Sequence, residues 1–175
     1  NACLISEEVA AKNISLQEIV QKLTRLVVNR ADNKLNFGVV LIPEGLIEFI
    51  PEIKLLIAQL NDLLAEHADE FAALPDLHRK IAFVADKLGQ KLAAVFTSLP
   101  ESIQAQLLGD RDPFGNVQVS KIETEKLLIE MIERKLARIN ARREKKAQVK
   151  FSTQAHFFGY EGRCAAPSNF DADYC

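Results

Sequence analysis

Apolar residues recur at helical spacing near the start of the chain, at Leu16, Ile19, Val20, Leu23, Leu26 and Val27. Ser15 and Glu18 precede this pattern at capping-box spacing, so we predict a helix that begins there and runs to about Arg30. The β-branched run "FGVVLIP" at 37–43 is typical of a strand buried on both faces. A second helix is predicted through "IPEIKLLIAQLNDLLAEHA", with Pro51 tolerated in its first turn.

The pattern from residue 69 to residue 109 is helical throughout and contains no strand-like run. The stretch "DRDPFGNVQ" reads as a loop, and Ser120 with Glu123 then predicts the capping box of a long helix through Lys146. Alternation in "AQVKFSTQAHFFG" predicts a strand that ends at the glycine. The fold class is therefore α/β and predominantly helical, with few strands.

Three parts are expected along the chain. Residues 1–68 form an α/β part, 69–147 a helical insertion, and 148–175 a return strand and a turn of the same α/β domain. The 175 residues suit one compact domain or slightly more, and 48% of them are apolar.

Charge is nearly balanced, with 22 Lys and Arg against 24 Asp and Glu. No general field attracts nucleic acid or an anionic membrane, so we expect neither partner. No apolar stretch reaches the ~18 residues of a membrane span, and no signal-peptide pattern starts the chain, so a cytoplasmic location is expected.

Cysteines, histidines and a basic run offer weaker candidate chemistry. The three cysteines are odd in number and far apart, which favours reduced thiols. His67, His78 and His156 lack partners at metal-ligand spacing, so no metal site is expected in this chain. A cluster of basic residues favours a solvated helix end over a phosphate or RNA patch: Arg138, Arg142, Arg143, Lys145 and Lys146.

The exit of the first predicted strand carries a carboxylate, Glu44, directly after Pro43. Ligands of open α/β sheets bind beyond the carboxyl ends of the strands, and a carboxylate there can accept hydrogen bonds from sugar hydroxyls. The alternative is that Glu44 caps the following helix. Glu48 and Glu52 lie further along and are expected to face solvent.

The exit of the second predicted strand is the turn "GYEGR", residues 159–163. Gly159 and Gly162 allow a close backbone approach, Arg163 offers a planar fork for phosphate, and Tyr160 offers a hydroxyl on a rigid ring. For Glu161 we expect the backbone to matter. The alternative is a tight turn whose arginine pairs with a surface carboxylate. The preceding aromatic stretch, 156–158, is expected to pack.

Four blocks of the chain resemble one known family. They are "NACLISEEVAAKNISLQEIV", "NFGVVLIPEGLIEFIPEI", "VQVSKIETEKLLIEMI" and "HFFGYEGRCAAPSNFDADY". Together and in this order they resemble the long, pyrophosphate-dependent phosphofructokinases of bacteria and plants. The resemblance implies a part of the second phosphofructokinase domain, with a helical insertion. It also implies that Glu44 binds fructose 6-phosphate and that Tyr160, Glu161, Gly162 and Arg163 contact the same sugar phosphate.

The implied reaction is glycolytic: magnesium-assisted transfer of a phosphoryl group from pyrophosphate to the C1 hydroxyl of fructose 6-phosphate, giving fructose 1,6-bisphosphate. The family's Gly-Gly-Asp-Asp-Ser, Thr-Ile-Asp and Met-Gly-Arg motifs do not occur in this sequence. The chain is therefore expected to be a piece from the second half of a longer, homo-oligomeric enzyme. It lacks the catalytic base, the donor site and the metal ligands, so it should be inactive alone.

Two alternatives stay open at this point. One is an ATP-dependent phosphofructokinase, and the other is a non-catalytic helical interaction module. A piece of a sheet would also leave strand edges unpaired. We therefore expect dimerisation, or pairing of the 37–43 strand with the 150–159 strand.

Overall fold

The computed structural model describes residues 1–43, 45–109, 111 and 115–157. Within these ranges the chain forms eight α-helices and a two-stranded parallel sheet. The strands are β1 (Ala2–Cys3) and β2 (Val40–Leu41). The helices are α1 (Ser6–Ala11), α2 (Leu16–Asp32), α3 (Pro51–Glu66), α4 (Ala68–Ala72), α5 (Leu77–Lys87), α6 (Gln90–Ser98), α7 (Glu101–Leu108) and α8 (Thr124–Asn140). Short 3-10 turns span Leu46–Phe49, Val119–Lys121 and Lys145–Ala147.

Helix α2 begins with the predicted capping box. The Ser15 hydroxyl accepts a hydrogen bond from the Glu18 backbone N–H at 3.2 Å, and the Glu18 carboxylate accepts one from the Ser15 N–H at 2.8 Å. This hydrogen bond from the Ser15 backbone lowers the pKa of Glu18. The apolar stripe is buried as the periodicity requires, at Leu16, Ile19, Val20 and Leu23. The prediction of this helix is confirmed, since it depends on residues that are neighbours in sequence.

The other helical predictions before residue 110 are also confirmed. Pro51 is the first residue of α3, where its missing N–H costs no helical hydrogen bond. The region from α4 to α7 is helical, with Phe96 fully buried in it. Gln104 is buried as well, and its side-chain amide donates to the Phe96 carbonyl at 2.7 Å, so the polar group is satisfied.

Helix α8 is shorter at both ends than the sequence predicted. It begins at Thr124 with Glu123 at the N-cap position and no side-chain capping bond, so the capping box proposed for Ser120 and Glu123 is wrong. A 3-10 turn, Val119–Lys121, occupies the predicted first turn. The helix ends at Asn140, and four of the basic residues assigned to it therefore lie beyond it: Arg142, Arg143, Lys145 and Lys146.

The strand predictions need larger corrections. β2 contains two residues and pairs in parallel with β1, with Ala2 opposite Val40 and Cys3 opposite Leu41. None of residues 150–157 is in a strand, so the predicted strand there, and its pairing with β2, are wrong for that range. The expected burial on both faces is also wrong, because Val39 is 57% exposed and Leu41 is 55% exposed.

One apolar core joins the described parts of the chain, from Leu4 near the start to Val149 near the end of the described range. α2 packs against α8, and α3 packs against α6. The division into parts at residues 68 and 147 stays a prediction. Among the described residues, none of the helices combines the length and apolar character needed to cross a bilayer.

Candidate functional site

Every residue that the sequence assigned to sugar-phosphate binding lies outside the described residues. These are Glu44, Tyr160, Glu161, Gly162 and Arg163. Whether they converge on one ligand stays a prediction. The structure does describe the segments that precede them, residues 37–43 before Glu44 and residues 148–157 before Tyr160. The contacts of these two segments with the rest of the chain are described below.

The exit of β2 makes a sharp turn. Gly45 has a φ of 73°, a left-handed conformation that favours glycine because it has no Cβ. The Leu46 N–H then bonds to the Pro43 carbonyl at 3.3 Å, and the Glu48 N–H bonds to the Gly45 carbonyl at 2.9 Å. Buried Leu46 holds the turn against the core. The predicted strand exit is therefore confirmed for the residues on either side of Glu44.

The turn after β2 also bears on the capping alternative. Gly45 occupies the N-cap position of the 3-10 turn, and Ile50 occupies that of α3. Glu44 itself lies outside the described residues, so the capping alternative for its carboxylate stays a prediction. Glu48 is exposed, as expected.

The prediction that Glu52 faces solvent is wrong, because its carboxylate is engaged in a partly buried contact. Its carboxylate accepts a hydrogen bond from the Leu16 backbone N–H at 2.9 Å. That N–H lies at the start of α2, where amides have no partner within the helix and the helix dipole favours negative charge. Glu52 thus joins the N-terminal ends of α2 and α3. Sequence reasoning missed it because the two residues are 36 positions apart.

The segment before β2 is held by Arg30, near the end of α2. Its guanidinium donates two hydrogen bonds to the Phe37 carbonyl, from Nε at 2.8 Å and from Nη2 at 2.5 Å. The same guanidinium lies 5.5 Å from the centre of the Phe37 ring. One side chain therefore fixes the point from which the chain enters β2.

The return segment after α8 is held by Asn140. Its side-chain amide donates to the Val149 carbonyl at 2.9 Å, and its carbonyl oxygen accepts from the Val149 N–H at 2.9 Å. Val149 is buried, so both of its backbone polar groups are satisfied where water is excluded. Phe151 then packs against the core. The packing predicted for the aromatic stretch is wrong for His156 and Phe157, which are exposed, and Phe158 lies outside the described residues.

Among the basic residues in the last turn of α8 and just beyond it, Arg143 makes a specific ion pair. Arg143 Nη1 lies 2.7 Å from Asp32 Oδ1, and Nη2 lies 3.1 Å from Oδ2, a two-pronged contact. Hydrogen bonding from Arg143 lowers the pKa of Asp32 and correspondingly raises the pKa of the arginine. Arg138, Arg142, Lys145 and Lys146 are exposed, in keeping with the expected solvated surface.

Two of the histidines, His67 and His78, lie near carboxylates. His67 Nδ1 lies 3.3 Å from the Glu70 carboxylate, and the ring packs edge-on against Phe83. His78 lies 3.8 Å from Glu101. In the described part of the chain, no group of three or more His, Cys, Asp and Glu side chains could hold a metal ion.

Comparison with known proteins gives relatives along the whole chain. The chain is 54% identical to a pyrophosphate–fructose 6-phosphate 1-phosphotransferase of Treponema pallidum, and 49% identical to one of Porphyromonas gingivalis. It is 48% identical to the beta subunit of the Solanum tuberosum enzyme. These alignments cover 100% of this chain and 30%, 31% and 29% of the respective relatives. No family model matches.

The chain is therefore homologous, over its full length, to one segment of a class of phosphotransferases. That class is the pyrophosphate-dependent phosphofructokinases, and the resemblance inferred from the four sequence blocks is confirmed. The chain spans about 30% of the length of the curated relatives that it matches.

Proposed function

We propose that the complete polypeptide carrying this sequence transfers a phosphoryl group from pyrophosphate to the C1 hydroxyl of fructose 6-phosphate, forming fructose 1,6-bisphosphate. The observation that supports this is identity of 46–54% over nearly all of the chain to three enzymes named for that reaction. The proposed setting is glycolysis in the cytoplasm. Pyrophosphate is preferred to ATP as the donor because all of these relatives are named for it.

In this proposal the segment supplies the fructose 6-phosphate side of the site. Glu44 accepts hydrogen bonds from sugar hydroxyls, and Arg163 and Tyr160 hold the 6-phosphate, with the backbone around Gly162 close to the ligand. The observed turn at Gly45, four positions after the end of β2, supports the first role, because α/β enzymes bind ligands beyond strand ends. Holding the sugar at both ends would orient its C1 hydroxyl for in-line attack.

The remaining machinery is assigned to other parts of the polypeptide. Phosphoryl transfer needs charge neutralisation, which magnesium would supply. The Gly-Gly-Asp-Asp-Ser and Thr-Ile-Asp motifs of the resembled family do not occur in this sequence, so we propose that the ion, the base and the donor site lie outside the segment. We accordingly propose that the segment alone does not turn over.

An interaction role for the surface around β2 is the second proposal. Phe37 is 80% exposed, and Val39 and Leu41 are more than half exposed. Parallel strands are normally covered on both faces. We propose that other parts of the enzyme cover this surface, and that the enzyme is a homo-oligomer. If only this proposal holds, the segment is a non-catalytic module.

The test is an assay of the complete polypeptide with fructose 6-phosphate and either pyrophosphate or ATP as donor, following fructose 1,6-bisphosphate. We expect product with pyrophosphate. Arg163→Ala should raise KM for fructose 6-phosphate by about tenfold or more, since a charged hydrogen bond to phosphate contributes about 1.5–3 kcal/mol. Arg138→Ala, an exposed arginine of α8, is the matched control and should leave KM unchanged.

Three results would count against parts of the proposal. Product with ATP alone would overturn the donor, and no product with either donor would overturn the activity. An unchanged KM in Arg163→Ala would remove that residue from the site.

A further inference from the structure

We propose that a groove lined by α2, α8 and β1, the α2–α8 groove, is occupied in the complete polypeptide by an acidic segment that lies outside these 175 residues. This role is independent of the proposed reaction, because it follows from the charge and shape of a surface that the structure describes.

The groove follows most of α2, from Gln21 to Asp32. Its volume is about 930 Å³, and it is open to solvent. β1 contributes both of its residues to the lining, and α8 contributes Lys135 and Ile139. Because α2 and α8 pack against each other, the groove is formed by regular elements of the fold.

Apolar side chains form part of the groove lining. Leu26, Val28 and Ile139 all line it, and each is only partly buried in the described structure. A partner that covered these side chains would remove apolar surface from water, which favours association. The groove therefore offers apolar contacts as well as polar ones.

The charges in the groove are mainly positive. Lys22 and Arg25 are three positions apart on α2 and so lie on one face of the helix, and Lys135 lines the groove from α8. The ion pairs among the described residues include none of these three cations. Asp32 also lines the groove, but its carboxylate is paired with Arg143. An anionic partner would complement this charge.

A protein segment fits the groove better than a small ligand does. Small-molecule sites are concave and bury about 70–90% of the surface of their ligand, whereas this groove is open to solvent. A segment whose carboxylates meet the three cations, and whose apolar side chains lie between them, would match both the charge and the apolar lining.

The occupant is assigned to the rest of the polypeptide. The chain spans 30% and 31% of the two bacterial relatives described above, so most of such a polypeptide lies outside the segment. A tethered segment binds at a high effective concentration, and modest contacts can then keep the groove filled. The competing explanation is that the three cations are solvated, as most lysines and arginines are.

The first experiment acetylates the lysines of the wild-type complete polypeptide under native conditions and compares the sites by mass spectrometry. We expect Lys22 and Lys135 to react about tenfold more slowly than Lys91, because covering and ion pairing keep an amine in its unreactive charged form. Lys91 is the matched control, an exposed lysine of α6 that does not line the groove. Equal labelling of the three lysines would overturn the proposal.

A carbodiimide identifies the occupant, because it joins an amine directly to a carboxylate that contacts it. We expect Lys22 or Lys135 to become linked to an Asp or Glu outside the 175 residues, within one chain. Oligomers assembled from a mixture of unlabelled and heavy-isotope-labelled chains distinguish links within a chain from links between chains. Links only between chains, or only to carboxylates inside the segment, would overturn the assigned occupant.

Charge reversal tests the cations themselves. Arg25→Glu should raise the labelling of Lys22 and Lys135 at least about threefold, because like charges would repel the acidic segment. Arg25→Lys should keep both lysines protected. Arg134→Glu, at an exposed position of α8 outside the groove, should leave their labelling unchanged. Unchanged labelling in a folded Arg25→Glu variant would overturn the proposal, and if that variant does not fold, the labelling and cross-links of the wild type decide.

Discussion

The helical region from α4 to α7 and the two-stranded sheet are built in opposite ways. Each helix satisfies its backbone hydrogen bonds internally, and together α5, α6 and α7 bury Val84, Phe96, Ile103 and Leu107. β2 depends for its backbone hydrogen bonds on β1 and the adjacent Leu4, and its neighbouring side chains stay exposed. A helix forms its backbone hydrogen bonds between residues that are close in sequence. A strand needs a neighbouring strand for its hydrogen bonds and other elements to cover its faces.

The largest expected effect on stability comes from replacing one phenylalanine by alanine in each of the two regions. Phe96→Ala should lower the free energy of unfolding by about 3–5 kcal/mol, because it leaves a cavity among fully buried side chains. Phe37→Ala should change it by less than about 1 kcal/mol, since the ring is 80% exposed. Urea unfolding of the 175-residue chain measures both. Equal losses would show that Phe37 is covered in solution.

A smaller effect is expected at the turn that follows β2. Gly45→Ala should lower the free energy of unfolding by about 1–2 kcal/mol, because a side chain is strained at a φ of 73°. The control is Gly89→Ala, where φ is −58° and the added Cβ meets open space. Because the loss of an N-cap glycine and the lower entropy of the unfolded chain act in opposite directions, a change within about 0.5 kcal/mol is expected. If Gly45→Ala left the free energy of unfolding unchanged, the turn after β2 would not depend on the left-handed conformation of Gly45.

The smallest expected effect is on the pH dependence of stability, through the ion pair between Asp32 and Arg143. The folded pKa of Asp32 lies below its unfolded value because Arg143 bonds to the carboxylate. Its stabilisation is present above the unfolded pKa and is lost as pH falls through the folded pKa. Between about pH 6 and pH 3, wild type should therefore lose more stability than Asp32→Asn. Urea midpoints across that range are the measurement, and parallel pH profiles would contradict the prediction.

The helices were predictable because their signals are local. Ser15 and Glu18 are three residues apart, and Pro51 acts on its own turn, so neither needs the rest of the fold. Ser120 and Glu123 have the same spacing, yet the helix begins at Thr124 after a 3-10 turn. A capping motif permits a helix start and does not force one when the surrounding chain packs differently.

The candidate site was predictable in a different sense. The motifs around Glu44 and Arg163 pointed to a family, and whole-chain relatives confirm that resemblance. The supporting contacts of Arg30, Glu52 and Asn140 carry no motif, because each pairs with a backbone group whose position depends on the fold. They became visible only in three dimensions.

The sequence by itself determined helices α2 and α3 and the helical region from α4 to α7, that the chain turns sharply after "VVLIP", and which enzymes it is related to. Tertiary structure decided that β2 pairs with Ala2–Cys3, that residues 150–157 are not a strand, and that Asp32 meets Arg143. The physical reason is the range of the interactions. Helical hydrogen bonds and turn dihedrals involve neighbours in sequence, whereas strand pairing and ion pairs between segments require partners that only the folded chain brings together.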